Sequence, residues 1–306
     1  MNTLVSVVIA AYNASQTLPV AIESALQQQG CDVELLIVDD CSTDNTLTIA
    51  TQLAMRDNRI RVFQTPDNRG PGAARNLALL AAKGQWIAVL DADDRFAPYR
   101  LATLLAVAQH QRRDMVIDSY YLTKAGEHIP SGSRFTSLCS QADMRSVSAT
   151  DFVSLGLGST KPLIRTVFLR SHQLRFNPAI KCGEDLLLYS QLLIAGASCT
   201  FVNLPLYYRT ESAGSLSRKN KVQSLSALAN ALILLHNSVS KTSLSPGTLS
   251  KAIGYRMKVT NDALAAAKWR YWMASPRTAP LPSLRNAFEL IRHVCFRKVR
   301  YATKSL

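Results

Sequence analysis

The sequence predicts an α/β fold: a mostly parallel sheet covered by helices on both faces, followed by a helical, basic extension. Over the first 120 residues, short continuous apolar runs alternate with helical patterns of about 10–15 residues, as expected of parallel strands buried on both faces. The composition is 47% hydrophobic and 18% charged over 306 residues, with 13 Gly and 12 Pro. That describes a globular chain able to bury a large core, neither disordered nor fibrous. The net charge of +14 is confined to one region. Residues 1–217 carry 19 basic and 19 acidic side chains, whereas residues 218–306 carry 16 basic ones against Asp262 and Glu289. A neutral body, with halves near 1–118 and 119–217, is thus set apart from a cationic region, 218–306.

The elements follow in order. Residues 4–10 read as an apolar strand, and 17–28 as a helix with Leu18, Ile22, Ala25 and Leu26 on one face. A strand at 35–38 precedes a helix near 43–55, and a strand at 61–63 precedes a helix near 72–83. A strand at 86–90 precedes a helix near 98–111 and a strand at 115–118. The stretch 119–160 is rich in Ser, Gly and Thr without clear periodicity, and reads as loops that complete a site. Structure resumes over 161–208, with a helix near 184–195 that stops at Gly196. Beyond residue 218 come helical segments at 222–235, 249–273 and 283–304, separated by Pro246-Gly247 and by the proline-spaced stretch 276–282.

Six cysteines form no CxxC pair and five histidines no HExxH, which excludes a zinc framework and a disulfide-stapled small secreted fold. The N-terminus MNTLVSVVIAAYN lacks a basic n-region. No apolar run approaches the ~18–20 residues needed to span a bilayer. The expectation is a cytoplasmic chain that does not cross a membrane, although its tail can touch one.

Ligands of an open α/β sheet sit beyond the carboxyl ends of its strands, so the residues that follow each strand are the informative ones. The first strand ends in Ala10-Ala11-Tyr12-Asn13, the second in Asp39-Asp40, the fourth in Asp91-Ala92-Asp93-Asp94. A single Asp there is a cap or a turn former; five carboxylates at two strand ends are harder to explain as caps. In extended backbone, Asp91 and Asp93 point to one side and can address one cation. Hard oxygen ligands suit Mg²⁺ or Mn²⁺ bridging a substrate's phosphates. Gly70-Pro71-Gly72-Ala73-Ala74-Arg75 imitates a dinucleotide fingerprint, but Arg75 replaces its third glycine and five residues part it from its strand. A phosphate-facing helix start, with Arg75 supplying charge-assisted hydrogen bonds, is the more economical reading. Cys182-Gly183-Glu184-Asp185 opens an apolar helix. Its carboxylates are either dipole-favoured N-terminal residues or a general base facing an acceptor hydroxyl.

The segments VSVVIAAYNA, LLIVDDCSTDNT, NRGPGAARNLAL, WIAVLDADD and GEDLLLYSQLLIAG together resemble the inverting family 2 glycosyltransferases of the GT-A fold, in the family's order and spacing over residues 4–196. The resemblance implies a Rossmann-like, mostly parallel sheet, with a nucleotide-sugar half at 1–118 and an acceptor half at 119–217. It implies that Tyr12 and Asp40 hold the uracil and ribose of a UDP-sugar, with Ala10, Asn13 and Asp39 beside them. Asp93 would ligate the metal on the diphosphate, Asp91 would contact the ribose or donor sugar, and Arg75 would lie near the nucleotide. Asp185 would be the base, with Glu184 its neighbour.

The QxxRW motif and membrane helices of processive members are absent from the sequence, so one sugar per encounter is expected. Residues 208–217 resemble the mobile segment that closes over the diphosphate in some relatives, with Arg209 a site candidate; a plain linker is the other reading. The segment 283–304 suits a helix with Leu284, Phe288, Ile291, Cys295, Val299 and Ala302 on one stripe and basic residues elsewhere. Such a helix lies in an anionic membrane interface or packs on the catalytic body. No nucleic-acid module is seen. Membrane contact fits a lipid-linked oligosaccharide acceptor in bacterial surface polysaccharide synthesis, with glucose the favoured sugar by analogy, at the inner face of the cytoplasmic membrane. The rival readings are a nucleotidyltransferase, which lacks its expected glycine-rich basic loop after the first strand, and an inactive scaffold of the same fold.

Overall fold

Eight residues of β-branched, apolar and small character make β1 (Leu4–Ala11) the pivot of the sheet. In the computed structural model, which describes residues 3–124, 127, 129–138, 144–211, 221–239 and 246–274, β1 lies between β2 (Asp32–Asp39) and β4 (Trp86–Val89), parallel to both. Strand β3 (Ile60–Gln64) adds in parallel outside β2. Val5, Val7 and Ile9 point into one core with Leu35 and Ile37, and there α1 (Leu18–Leu26) inserts Leu18, Ala21, Ile22 and Ala25. The alternate residues Val8, Leu36 and Val38 are just as buried. Each such side chain contributes about 1.5–3 kcal/mol on burial, which is why these strands are mostly apolar on both faces, with the buried Ser6 hydroxyl donating to Glu34 at 2.6 Å. Helix α2 (Thr46–Ala54) lies against β3, and α3 (Pro71–Ala81) lies against β1 and β2.

The second half departs from simple alternation. A two-residue strand, β5 (Arg95–Phe96), leads into α4 (Arg100–His110), which buries Leu101, Leu104, Leu105 and Ala108 at helical spacing. Strand β6 (Met115–Lys124) carries β7 (Gly132–Arg134) on its flank. Then come β8 (Met144–Ser146), α5 (Ala149–Leu155), β9 (Leu163–Arg165), α6 (Thr166–Ser171), α7 (Glu184–Ile194) and β10 (Cys199–Glu211). The sheet order is β3-β2-β1-β4-β9-β6-β10-β5, with β9 antiparallel to both neighbours and β5 antiparallel to β10. The long β6–β10 pairing is parallel and shifts register on either side of Pro205, a residue with no N–H to give a ladder.

The loop reading of 119–160 is corrected here. Strand β6 continues six residues past 118, and β7, β8 and α5 follow. The buried Ser119 and Thr123 hid the continuation, because a buried strand is expected to be apolar, and three-residue strands fall below any periodicity. Helix α5 is short but has a complete capping box between Ser148 and Asp151. Helix α7 ends as expected: Gly196 takes φ +96°, and the Ala197 and Gly196 amides reach back to Leu192 and Leu193.

The chain divides into two units, Met1–Ala213 and Gly214–Leu306. In the second, α8 (Lys221–Val239) and α9 (Pro246–Ala274) lie against each other. Pro246 opens α9 rather than separating helices, since the first helical position needs no N–H. Ile253, Thr260 and Ala267 are buried at seven-residue spacing along one seam. No helix among the described residues is long and apolar enough to cross a membrane. The expected helix at 283–304 lies outside the described residues, as do residues 212–217.

Candidate active site

Parallel pairing of β1, β2 and β4 brings their carboxyl ends to one rim. There the Asp40 amide donates to the Ala11 carbonyl at 2.8 Å. The Asp40 carboxylate is 3% exposed and accepts from the Thr65 hydroxyl at 2.8 Å and from the amides of Arg69 and Gly70 at 3.1 and 2.7 Å. It thereby pins the entry to α3, where Gly70 adopts φ +87°. Asp39 accepts from the Ser42 amide at 3.1 Å through Oδ2, while its buried Oδ1 has no partner. Asn13, at φ +48°, accepts from the Thr43 amide at 2.8 Å and locks the loop after β1 to the loop after β2. Tyr12 stands 44% exposed beside them, and Ala10 is half-buried in β1.

A charged cluster is built where β4 ends. Arg75, on the second turn of α3 and 4% exposed, donates through Nη2 to Asp91 Oδ1 at 2.7 Å. Its Nη1 reaches Glu184 Oε1 at 2.7 Å and Asp185 Oδ1 at 3.0 Å, both on the first turn of α7. From the other side Lys161 Nζ contacts Asp91 Oδ2 at 2.8 Å and Asp185 Oδ2 at 2.6 Å. Two cations therefore each bridge the same two carboxylates, which lie 94 positions apart in sequence. Leaving Arg75, Lys161, Glu184 or Asp185 alone would strand a buried charge, so the cluster holds together as a unit.

The electrostatics divide the carboxylates. Burial would raise the Asp91 carboxyl, but Lys161 and Arg75 overcome it and hold the group well below the usual carboxylate range. Asp93 is pushed up by burial and by the charge of Asp91. Asp94 is pushed far up by burial and by its two neighbours, although Tyr207 Oη donates to it at 2.6 Å and the Thr210 amide at 2.7 Å. Glu184 is raised by burial and by Asp185. Lys161 stays raised despite burial, because Asp185 and Asp91 face it.

Residues 6–152 match the family model described as Glycosyl transferase family 2. The succinoglycan biosynthesis protein ExoO of Rhizobium meliloti is 34% identical over 74% of this chain and 66% of its own length. The corresponding values for ExoU of the same organism are 31%, 75% and 68%. The chain belongs to glycosyl transferase family 2. It spans about two thirds of the length of these two relatives. The Escherichia coli protein WfaP, named a UDP-Glc:alpha-D-GlcNAc-diphosphoundecaprenol beta-1,3-glucosyltransferase, is 36% identical over 40% of this chain and 47% of its own. Among solved structures, S. aureus TarS 1–349 in complex with UDP-GlcNAc aligns with a TM-score of 0.67 at 21% identity, covering 94% of this chain and 79% of that one. The fold is therefore the expected GT-A arrangement of a family 2 glycosyltransferase.

Within this family 2 frame, Asp91, Glu184, Asp185 and Arg75 converge directly. Arg75 is taken up by three carboxylates, and its Cζ lies 5.3 Å from the Phe176 ring centre. Arg209 Nη1 donates to Tyr120 Oη at 3.4 Å, and its pKa is raised despite burial by Tyr120, Asp94 and Asp91. Among the described residues no set of three His, Cys, Asp or Glu groups could hold a metal unaided, and Asp93 makes no ion pair. A half-buried carboxylate pressed by a like charge fits a hard cation that takes its other ligands from diphosphate oxygens and water. Sequence reasoning missed Lys161, Tyr207 and Arg100. Lys161 follows a stretch read as loop, and no spacing tied it to Asp185; only the antiparallel insertion of β9 brings it in.

Proposed function

We propose that the chain is a non-processive, inverting hexosyltransferase that moves glucose from a UDP-sugar to a hydroxyl of a lipid-linked oligosaccharide in bacterial surface polysaccharide synthesis, working at the inner face of the cytoplasmic membrane. The observation that carries the reading is the double bridge of Arg75 and Lys161 between Asp91 and Asp185. It keeps a donor-side carboxylate and a candidate base on the same two cations. The ExoO and ExoU likenesses support the pathway class, and the WfaP likeness supports glucose and a lipid diphosphate acceptor.

In this reading Tyr12 offers an exposed ring to the uracil. Asp39 offers its unpartnered oxygen to an N–H of the nucleotide, and Asp40 holds the loop that borders the ribose. Asp93 would hold Mg²⁺ or Mn²⁺, which when bound neutralises charge on the diphosphate. Asp185 accepts the proton of the acceptor hydroxyl as its oxygen bonds to the anomeric carbon. The bond from that carbon to the diphosphate breaks, and its electron pair leaves with UDP. A carboxylate has about four lone-pair directions, so Asp185 can keep Arg75 and Lys161 and still take this proton. Attack on the face opposite UDP inverts the anomeric centre.

The test is a screen of UDP-, GDP- and dTDP-sugars for hydrolysis with and without Mn²⁺, followed by transfer to lipid extracts. UDP-glucose is expected to be consumed in a metal-dependent way, and Asp185→Asn to lose turnover while still binding UDP. A wild type that binds no nucleotide with or without metal would leave a scaffold.

A further inference from the structure

Beneath the charged cluster lies a second, fully buried ion pair that none of the chemistry above uses. Arg100 opens α4 at 0% exposure and meets Asp118 of β6 in a two-pronged pair, Nε to Oδ2 at 2.8 Å and Nη2 to Oδ1 at 2.7 Å. Burial pushes the Asp118 carboxyl up even against Arg100, so the pair is costly where it stands. Apolar pairs of similar volume often stabilise a fold as well as a buried ion pair does.

The contacts on the remaining faces of the guanidinium give it a task. Nη2 also donates to the main-chain carbonyl of Lys161, the residue whose ammonium joins Asp91 to Asp185. The guanidinium carbon stands 4.5 Å from the Phe96 ring centre and 5.2 Å from that of Tyr207. Tyr207 Oη in turn donates to Asp94 and accepts from the Asp91 amide at 3.2 Å. One rigid cation thus fixes the backbone that presents Lys161 and the ring that holds the loop after β4.

We propose that Arg100, anchored by Asp118, is a positioning residue that sets the separation of Asp91 from Asp185 through Lys161 and Tyr207. The inference rests on the reading of Asp185 as the base. Lysine in its place keeps the charge but cannot span Asp118 and the 161 carbonyl with one planar fork.

The test uses the full chain and the donor the wild type hydrolyses fastest. Arg100→Lys should lower kcat at least tenfold while leaving the far-UV spectrum within error, because Arg100 itself touches neither donor nor acceptor in this reading. In an Asp185→Asn background the same substitution should cost less than twofold, since no base remains to be placed. Asp118→Asn should reproduce the kcat defect and serves as the second variant if Arg100→Lys folds poorly. An unchanged kcat in Arg100→Lys overturns the proposal, as does a tenfold loss that persists in the Asp185→Asn background. A wild type without transferase or hydrolase activity would instead overturn the proposed function, so the two failures are told apart.

Discussion

Asp185 carries an ammonium on one oxygen and a guanidinium on the other, and the amide of an Asp185→Asn variant would keep the shape but not the basicity. Loss of a general base typically costs 10²–10⁴ in rate, so kcat should fall by about that factor while UDP affinity, read by calorimetry, stays within twofold. A matching loss of UDP binding would show Asp185 to be a donor ligand. A second residue-scale expectation concerns Asp44, in the loop after β2. Burial acts to raise its pKa, but hydrogen bonds from Thr46 and Ser15 prevail and lower it from 3.8 to about 2. A depressed carboxyl stabilises the fold above its unfolded pKa, and that stabilisation is lost as pH falls through the folded value. The loss should therefore fall between about pH 4 and pH 2. An NMR titration of the Asp44 carboxyl should have its midpoint near 2 and should move toward 3.8 in Thr46→Val.

At the scale of elements, the decisive contact is between the turn that delivers Lys161 and the helix that delivers Asp185. Gly158 sits there with no room for a side chain. A Cβ would stand 2.7 and 2.8 Å from side-chain atoms of Leu186 and 3.2 Å from its Cα. Gly158→Ala should cost about 1–3 kcal/mol by overpacking and lower kcat several-fold by prising Lys161 from Asp185. Gly132→Ala, whose Cβ meets nothing within 4 Å, should stay within about 0.5 kcal/mol. Equal melting temperatures for the two variants would refute this. The same elements show what a sequence discloses. Asp39, Asp40, Asp91 and Asp93 were legible because parallel strands must present their ends together. Glu184 and Asp185 were legible because they open an apolar helix, where its dipole favours carboxylates. Lys161 and Arg100 were not, because their partners lie 24 and 18 residues away or further and only tertiary pairing joins them. Strand β6 went half unread for a related reason: past Asp118 its apolar run is broken by Ser119 and Thr123, whose burial comes only with the tertiary fold.

For the whole molecule, charge sets the two units apart. The first 217 residues balance 19 basic against 19 acidic side chains, and the remainder holds the entire surplus of +14. In α9 the exposed residues include Lys251, Tyr255, Lys258 and Val259, mixing cations with apolar and aromatic groups. Near an anionic bilayer each such cation contributes about 1 kcal/mol, and the attraction decays over a Debye length of roughly 8 Å at physiological salt. If the acceptor is lipid-linked, this surplus supplies an attraction toward the surface that carries it. The full chain should sediment with phosphatidylglycerol vesicles at low salt, stay in solution with phosphatidylcholine vesicles, and be released from the former at about 0.5 M NaCl. Reversing Lys251, Arg256 and Lys258 to Glu should weaken sedimentation at least tenfold yet leave UDP-glucose hydrolysis in solution unchanged. Should sedimentation survive both salt and charge reversal, the attachment would be apolar. Should the full chain ignore anionic vesicles at low salt, the surface it serves is not a membrane.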